Sequence, residues 1–177
     1  LNLIRHKHHL IITMVLNKDV VHIIKRLRLR RHPEGGYFKQ TYTADTIVNI
    51  EGYDKPRYIS TAIYYMLVGD QFSAFHRIKS DELWHHYTGG SLILYAIDNG
   101  KLTKIKMGKS RGEAPQVILK ANTWFAASLT DKKSYCLLGC TVSPGFDYSD
   151  WEIGKRNELI KTYPQYRTII ERYTTIV

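Results

Sequence analysis

Residues 75–90 read FHRIKSDELWHHYTGG. Lys79-Ser80-Asp81 is a turn signal, and the segments on either side, Ser73–Ile78 and Glu82–Thr88, have strand character, the second closed by Gly89-Gly90. The same stretch carries His76, Glu82, His85 and His86 beside Trp84. Histidine and carboxylate at this spacing allow three chemistries: a metal site, a metal-free acid–base pair, or a polar-lined core.

Outward from this pair of strands the alternation continues. Tyr37–Thr43, Arg57–Val68, Ser91–Asp98, Leu102–Met107, Gln116–Leu119, Trp124–Ser128 and Ser134–Val142 are further candidate strands, separated by Gly69-Asp70, Asn99-Gly100 and Ala121-Asn122. Asn99-Gly100 is the strongest hairpin signal, because both residues tolerate the positive φ of a type I′ turn. Many short strands at this spacing argue for an all-β antiparallel sandwich or barrel. Helical patterns flank it. Asn17 caps a pattern in which Val20, Ile23, Ile24 and Leu27 share a face, ending before His32-Pro33. Trp151–Tyr163 reads as helical, and Pro164 opens a last short helix with Tyr166, Ile169, Ile170 and Tyr173. The organisation expected is an N-terminal extension and helix over 1–31, a β-barrel over 32–150 and packed C-terminal helices over 151–177.

Composition sets limits. The 177 residues suit one domain, and no apolar run reaches the length of a membrane span. Cys136 and Cys140 stand too far apart along an extended strand to bridge, so both are expected as free thiols and the location as cytoplasmic. Residues 1–13, LNLIRHKHHLIIT, lack the long apolar core and cleavage site of a signal peptide and are expected to add an arm ahead of Met14. The net charge of +10 is concentrated in Lys25, Arg26, Arg28, Arg30 and Arg31. No nucleic-acid-binding motif accompanies it, so a solvated basic face is expected rather than a nucleic-acid partner; a cationic rim drawing small anions would explain the charge equally well.

The block Gly69…His76-x-Ile78…Glu82…Gly89 matches the intervals of the first cupin motif, with isoleucine in place of its second histidine. In the segment that corresponds to the second motif, Ile118–Phe125, Phe125 stands where the last histidine would be. HPEGGYFKQTY (32–42), STAIYYML (60–67), SAFHRIKSDELWHHYTGG (73–90), WFAAS (124–128) and GCTVSPGFDYSD (139–150) resemble the fifth cupin-type domain family, one of unknown function. The resemblance implies a cupin double-stranded β-helix, or jelly roll, with an N-terminal helix and short C-terminal helices, paired as a homodimer.

A catalytic metal needs about three protein ligands. His76 and Glu82 alone match, so no metal and no cofactor are expected. Alternation would put Glu82, Trp84 and His86 on one strand face, which leaves a metal-dependent cupin using His76, Glu82 and His86 as an alternative, although residues four apart stand about 13 Å from each other. Without a metal, His76 and Glu82 form an acid–base pair. A tyrosine opposite would supply the other proton; Tyr64 and Tyr65 face opposite ways, and the resemblance selects Tyr64. Glu34, Lys39, Arg57, Trp84, His86, Gln116, Trp124 and Phe125 are the expected ligand contacts. The function expected is a metal-independent isomerase or epimerase acting on a sugar or nucleotide-sugar. The alternative is a non-catalytic binding module for such a molecule.

Overall fold

A computed structural model describes residues 18–175. Asn17 and the 1–13 arm lie outside the described residues. The chain begins with α1 (Lys18–Leu27), followed by β1 (Arg30–Arg31), β2 (Tyr37–Thr43), β3 (Ile47–Val48), β4 (Arg57–Tyr58) and β5 (Thr61–Val68). Then come β6 (Phe72–Ile78), β7 (Asp81–Gly89), β8 (Leu92–Asp98), β9 (Lys101–Met107), β10 (Gln116–Leu119), β11 (Trp124–Leu129) and β12 (Tyr135–Ser143). A 3-10 turn at Tyr148–Asp150 leads into β13 (Trp151–Ile153), α2 (Arg156–Thr162) and α3 (Arg167–Arg172).

Two antiparallel sheets face each other, in the orders β1-β2-β5-β12-β7-β10 and β13-β6-β11-β8-β9, with β3-β4 as a separate ribbon. The protein is a jelly roll, an N-terminal helix and short C-terminal helices included. The turn in the opening stretch carries the chain from one sheet to the other, since β6 and β7 belong to different sheets. Residues 75–90 therefore supply both walls of the space between them.

Side-chain alternation sorts the apolar residues into three clusters. Between the sheets lie Tyr65, Leu67, Trp84, Leu94, Phe125 and Leu138. Outside the first sheet, Met66 and Leu137 pack against Val20 and Ile23 of α1. Outside the second, Phe75, Trp124 and Ala126 pack against Leu159, Ile160 and Ile170 of α2 and α3. With both faces covered, β11 is buried along its entire length, which is why WFAAS shows no polar alternation. The Asn99-Gly100 turn joins β8 to β9 with φ of 47° and 76°, as its chemistry requires. Among the described residues, no helix is long and apolar enough to cross a membrane.

Three expectations change. The basic run does not lie on one helix face: the N-terminal helix ends at Leu27, as its apolar pattern does, Arg28 takes φ 54°, and Arg30–Arg31 pair with β2. Arg57–Val68 divides into β4 and β5. Trp151–Ile153 is a strand on the edge of the second sheet, paired to β6, and helix resumes only at Arg156.

Candidate functional site

A cavity of about 120 Å³ opens at one end of the space between the sheets. Phe38, Tyr65, Ile78, Trp84, Cys140 and Val142 form its apolar wall, and Glu34, His76 and Glu82 are its buried ionisable groups. Arg30, Gln40 and Tyr148 stand exposed at its rim.

His76 has a fixed tautomer. Its Nδ1 contacts the Ala74 carbonyl at 2.7 Å and must donate to it, since a carbonyl only accepts. A neutral ring then presents a lone pair at Nε2, which lies 3.3 Å from Oε2 of Glu34. One proton fits between them. Phe125 backs the imidazole with ring centres 4.0 Å apart. Burial drives both groups toward their neutral forms: His76 falls below its ordinary value and Glu34 rises to about 6.

Glu34 is held from every side. Trp151 Nε1 donates to Oε1. Ser73 Oγ donates to Oε2 at 3.2 Å. The Glu34 carbonyl accepts from the Ala74 N–H at 2.9 Å, which pins the loop to β6. The following glycines make this approach possible: Gly35 and Gly36 have φ of 110° and 77°, a Cβ on Gly35 would collide with the Phe72 carbonyl of β6, and one on Gly36 would come within 2.6 Å of the Met66 carbonyl of β5. His32 stands nearby with Nδ1 3.7 Å from Glu34 Oε2, but that nitrogen accepts the Glu34 backbone N–H at 3.3 Å, so the ring is neutral and its pKa is lowered, chiefly by burial.

Glu82 enters from the other sheet. Burial lifts its carboxyl to about 7, with nearby His76 and the thiol of Cys140 pulling the other way. The Trp84 indole N–H lies close enough to draw Glu82 down slightly, yet lacks the geometry of a hydrogen bond and remains a buried donor without a partner. Tyr65, which lines the cavity, donates its hydroxyl to the Gly35 carbonyl at 2.7 Å.

The family model described as Cupin superfamily (DUF985), Cupin_5, matches residues 21–154. The chain belongs to this family. An uncharacterized protein of Saccharomyces cerevisiae, YML079W, is 27% identical over 157 residues, spanning 78% of this chain and 77% of that one. Protein SO0799 from Shewanella oneidensis is 31% identical in its solved structure, with a TM-score of 0.80 over 88% of this chain and 97% of its own. A hypothetical protein from Leishmania major is also 31% identical, with a TM-score of 0.82 over 88% of this chain and 98% of its own. Oxalate decarboxylase from Bacillus subtilis, at 10% identity and a TM-score of 0.52, shares the fold alone.

In this cupin the metal-ligand positions do not fit a metal. Ile78 lines the cavity and Phe125 packs on His76. Among the described residues no group of three or more His, Cys, Asp or Glu could hold an ion. The His76–Glu82–His86 trio does not assemble: His86 pairs opposite Leu138 in the core, its Nε2 lies 3.1 Å from the Gly90 carbonyl, and it does not line the cavity.

Of the expected site residues, His76, Glu82, Glu34 and Trp84 meet around the cavity, and Phe125 supports His76 from behind. The others are elsewhere. Tyr64 packs outward beneath α1, and its neighbour Tyr65 takes the inward place, because alternation along β5 allows only one. Trp124 faces outward for the same reason, under Arg77 and against the C-terminal helices. Lys39 and Gln116 are exposed, off the cavity wall. Arg57 is buried in a bidentate pair with Asp150, at 2.7 and 2.9 Å. Arg30 stood in the basic run without being singled out, and His32, Ser73, Cys140 and Trp151 were not anticipated. The nearest signal was the HPEGGYFKQTY segment, which holds His32 and Glu34 together.

Proposed function

We propose that this cupin is a metal-independent isomerase or epimerase acting on a sugar or nucleotide-sugar by acid–base chemistry. The observation that carries the reading is the pair of proton-bearing groups facing one cavity: the Glu34–His76 unit, whose imidazole comes from the second sheet, and Glu82 from the first, with carboxyls raised to about 6 and about 7. Groups that titrate near neutrality serve equally as proton donor and acceptor. One removes a proton from a carbon beside a carbonyl, leaving the electron pair in an enolate, and the other returns a proton to that enolate to give the product. In this scheme Glu34 takes the place expected of Glu82 beside His76, which it orients and shares a proton with, and Glu82 takes the opposing role expected of Tyr64. The enclosed volume is smaller than the ~300–1,000 Å³ of common ligand pockets. It therefore takes the reacting end of the substrate, and the remainder lies along the rim. The homodimer that the family likeness implies is part of the same proposal.

The test is solvent exchange. Candidate sugars and nucleotide-sugars are incubated with the protein in deuterated water, and carbon-bound label is followed by mass spectrometry. His76→Ala is expected to slow labelling by about 10²–10⁴-fold with little change in binding. Glu34→Gln should also slow it and move the Glu82 titration down, because the Glu34 charge helps to raise it.

A second reading, a binding module without turnover, draws on the unpartnered Trp84 N–H, a donor suited to a ligand oxygen. Ligands that bind and never take up label would favour it.

A further inference from the structure

Arg30 is the cation of the cavity lining. In β1 it pairs opposite Phe38, and its guanidinium carbon lies 4.9 Å from the centre of that ring. Phe38 lines the cavity too, so the stacking holds the guanidinium at the rim. Arg31 stacks instead over Tyr37, at 4.3 Å, and is not part of the lining. Arg30 is exposed, and among the described residues no carboxylate lies within ion-pair distance of it. A stacked guanidinium keeps its edge N–H groups free, in a planar fork that matches a carboxylate or phosphate. The floor of the cavity has the opposite character, with Glu34 and Glu82 beside His76. Such a cavity has an anion-accepting rim and a floor suited to hydroxyl or carbonyl groups. An uncharged sugar would leave the rim unused, and an anion would be poorly received at the floor.

We propose that the ligand carries one anionic group, a carboxylate or a phosphate, which docks on Arg30 while the hydroxyl-bearing end reaches His76 and Glu82. This rests on the sugar-site reading above and narrows it to sugar acids or sugar phosphates.

The full chain is titrated calorimetrically with glucose, glucuronate, glucose 6-phosphate and inorganic phosphate. Ionic strength is kept near physiological so that the overall +10 charge is screened. One of the two anionic sugars is expected to bind at least about tenfold tighter than glucose. Which one does so distinguishes carboxylate from phosphate. Arg30→Gln should erase that preference. Arg31→Gln, with the same loss of charge, should keep it; melting curves confirm that each variant is folded. The proposal is overturned if glucose binds as tightly as both anionic sugars, if Arg30→Gln leaves the preference intact, or if phosphate alone matches glucose 6-phosphate. Absence of Arg30-dependent binding by either anionic sugar overturns it as well. Failure of deuterium uptake with Arg30-dependent binding intact removes only the acid–base reading. Label uptake with no preference for charge removes only this one.

Discussion

Glu82 is held in the fold at a cost that a glutamine there would not carry. Burial raises its carboxyl from an ordinary 4.5 to about 7, so between those values the folded chain keeps a proton that the unfolded chain has lost. Stability contributed by this group therefore falls as pH rises through that window, and the full cost applies above 7. At ~1.4 kcal/mol per pH unit, the cost is at most about 3–4 kcal/mol. Glu82→Gln is expected to unfold at higher urea than the parent at pH 8 and at nearly the same urea at pH 4.5; an equal shift at both would contradict the assignment. His76 works in the opposite sense. Its pKa is lowered, so its share of stability is lost as pH falls below its ordinary 6.5. At this scale the sequence was partly legible. His76 and Glu82 stood out because their interval matches a known motif. The partnership of His76 with Glu34 did not, because it depends on the loop before β2 being pinned to β6, which no local spacing encodes. Choosing between Tyr64 and Tyr65 needed the register of β5 against β12, where Tyr65 faces Leu138 of the inner core.

Among the elements, the long strands were legible and the shortest were not. Alternation and turn residues mark β2, β7, β8 and β12 without help from tertiary structure. A strand of two or three residues, such as β1 or β13, has no period to read and exists because a neighbour supplies its hydrogen bonds. These short pieces nevertheless matter to the site. Asp150, just before β13, accepts both arms of Arg57 from β4, while Trp151 beside it donates to Glu34. The β3–β4 ribbon, the edge of the second sheet and the buried carboxyl are thus linked in series. Arg57→Ala leaves Asp150 buried without its main partner. About 2 kcal/mol of stability should be lost, less than the ~3–5 of a fully enclosed pair, because Lys79 remains 3.8 Å away. Chemical denaturation measures the loss, and an unchanged midpoint would show the pair to be dispensable.

In the whole molecule, two sheets with helices against their outer faces leave one inner space, and that space divides into a packed core and an open end. An antiparallel sandwich or barrel could be anticipated from the spacing of the strands, and the jelly roll from the family resemblance. The arrangement of its open end, with Arg30 at the rim and Glu34 beside His76, could not, since Arg30, Glu34, His76 and Glu82 come from four separate elements or loops. The two free thiols sample both parts of the interior. Cys136 belongs to the core alone and Cys140 to the cavity wall, and burial pushes both far above their ordinary pKa. Neither reacts readily with an alkylating reagent until the structure opens. Partial opening at the cavity end should therefore modify Cys140 ahead of Cys136, whereas global unfolding modifies both together; peptide mapping after timed alkylation separates the two. A bound ligand is expected to slow the first reaction only. The chain thus carries an internal clock for the breathing of its own cavity, with a second thiol to calibrate it.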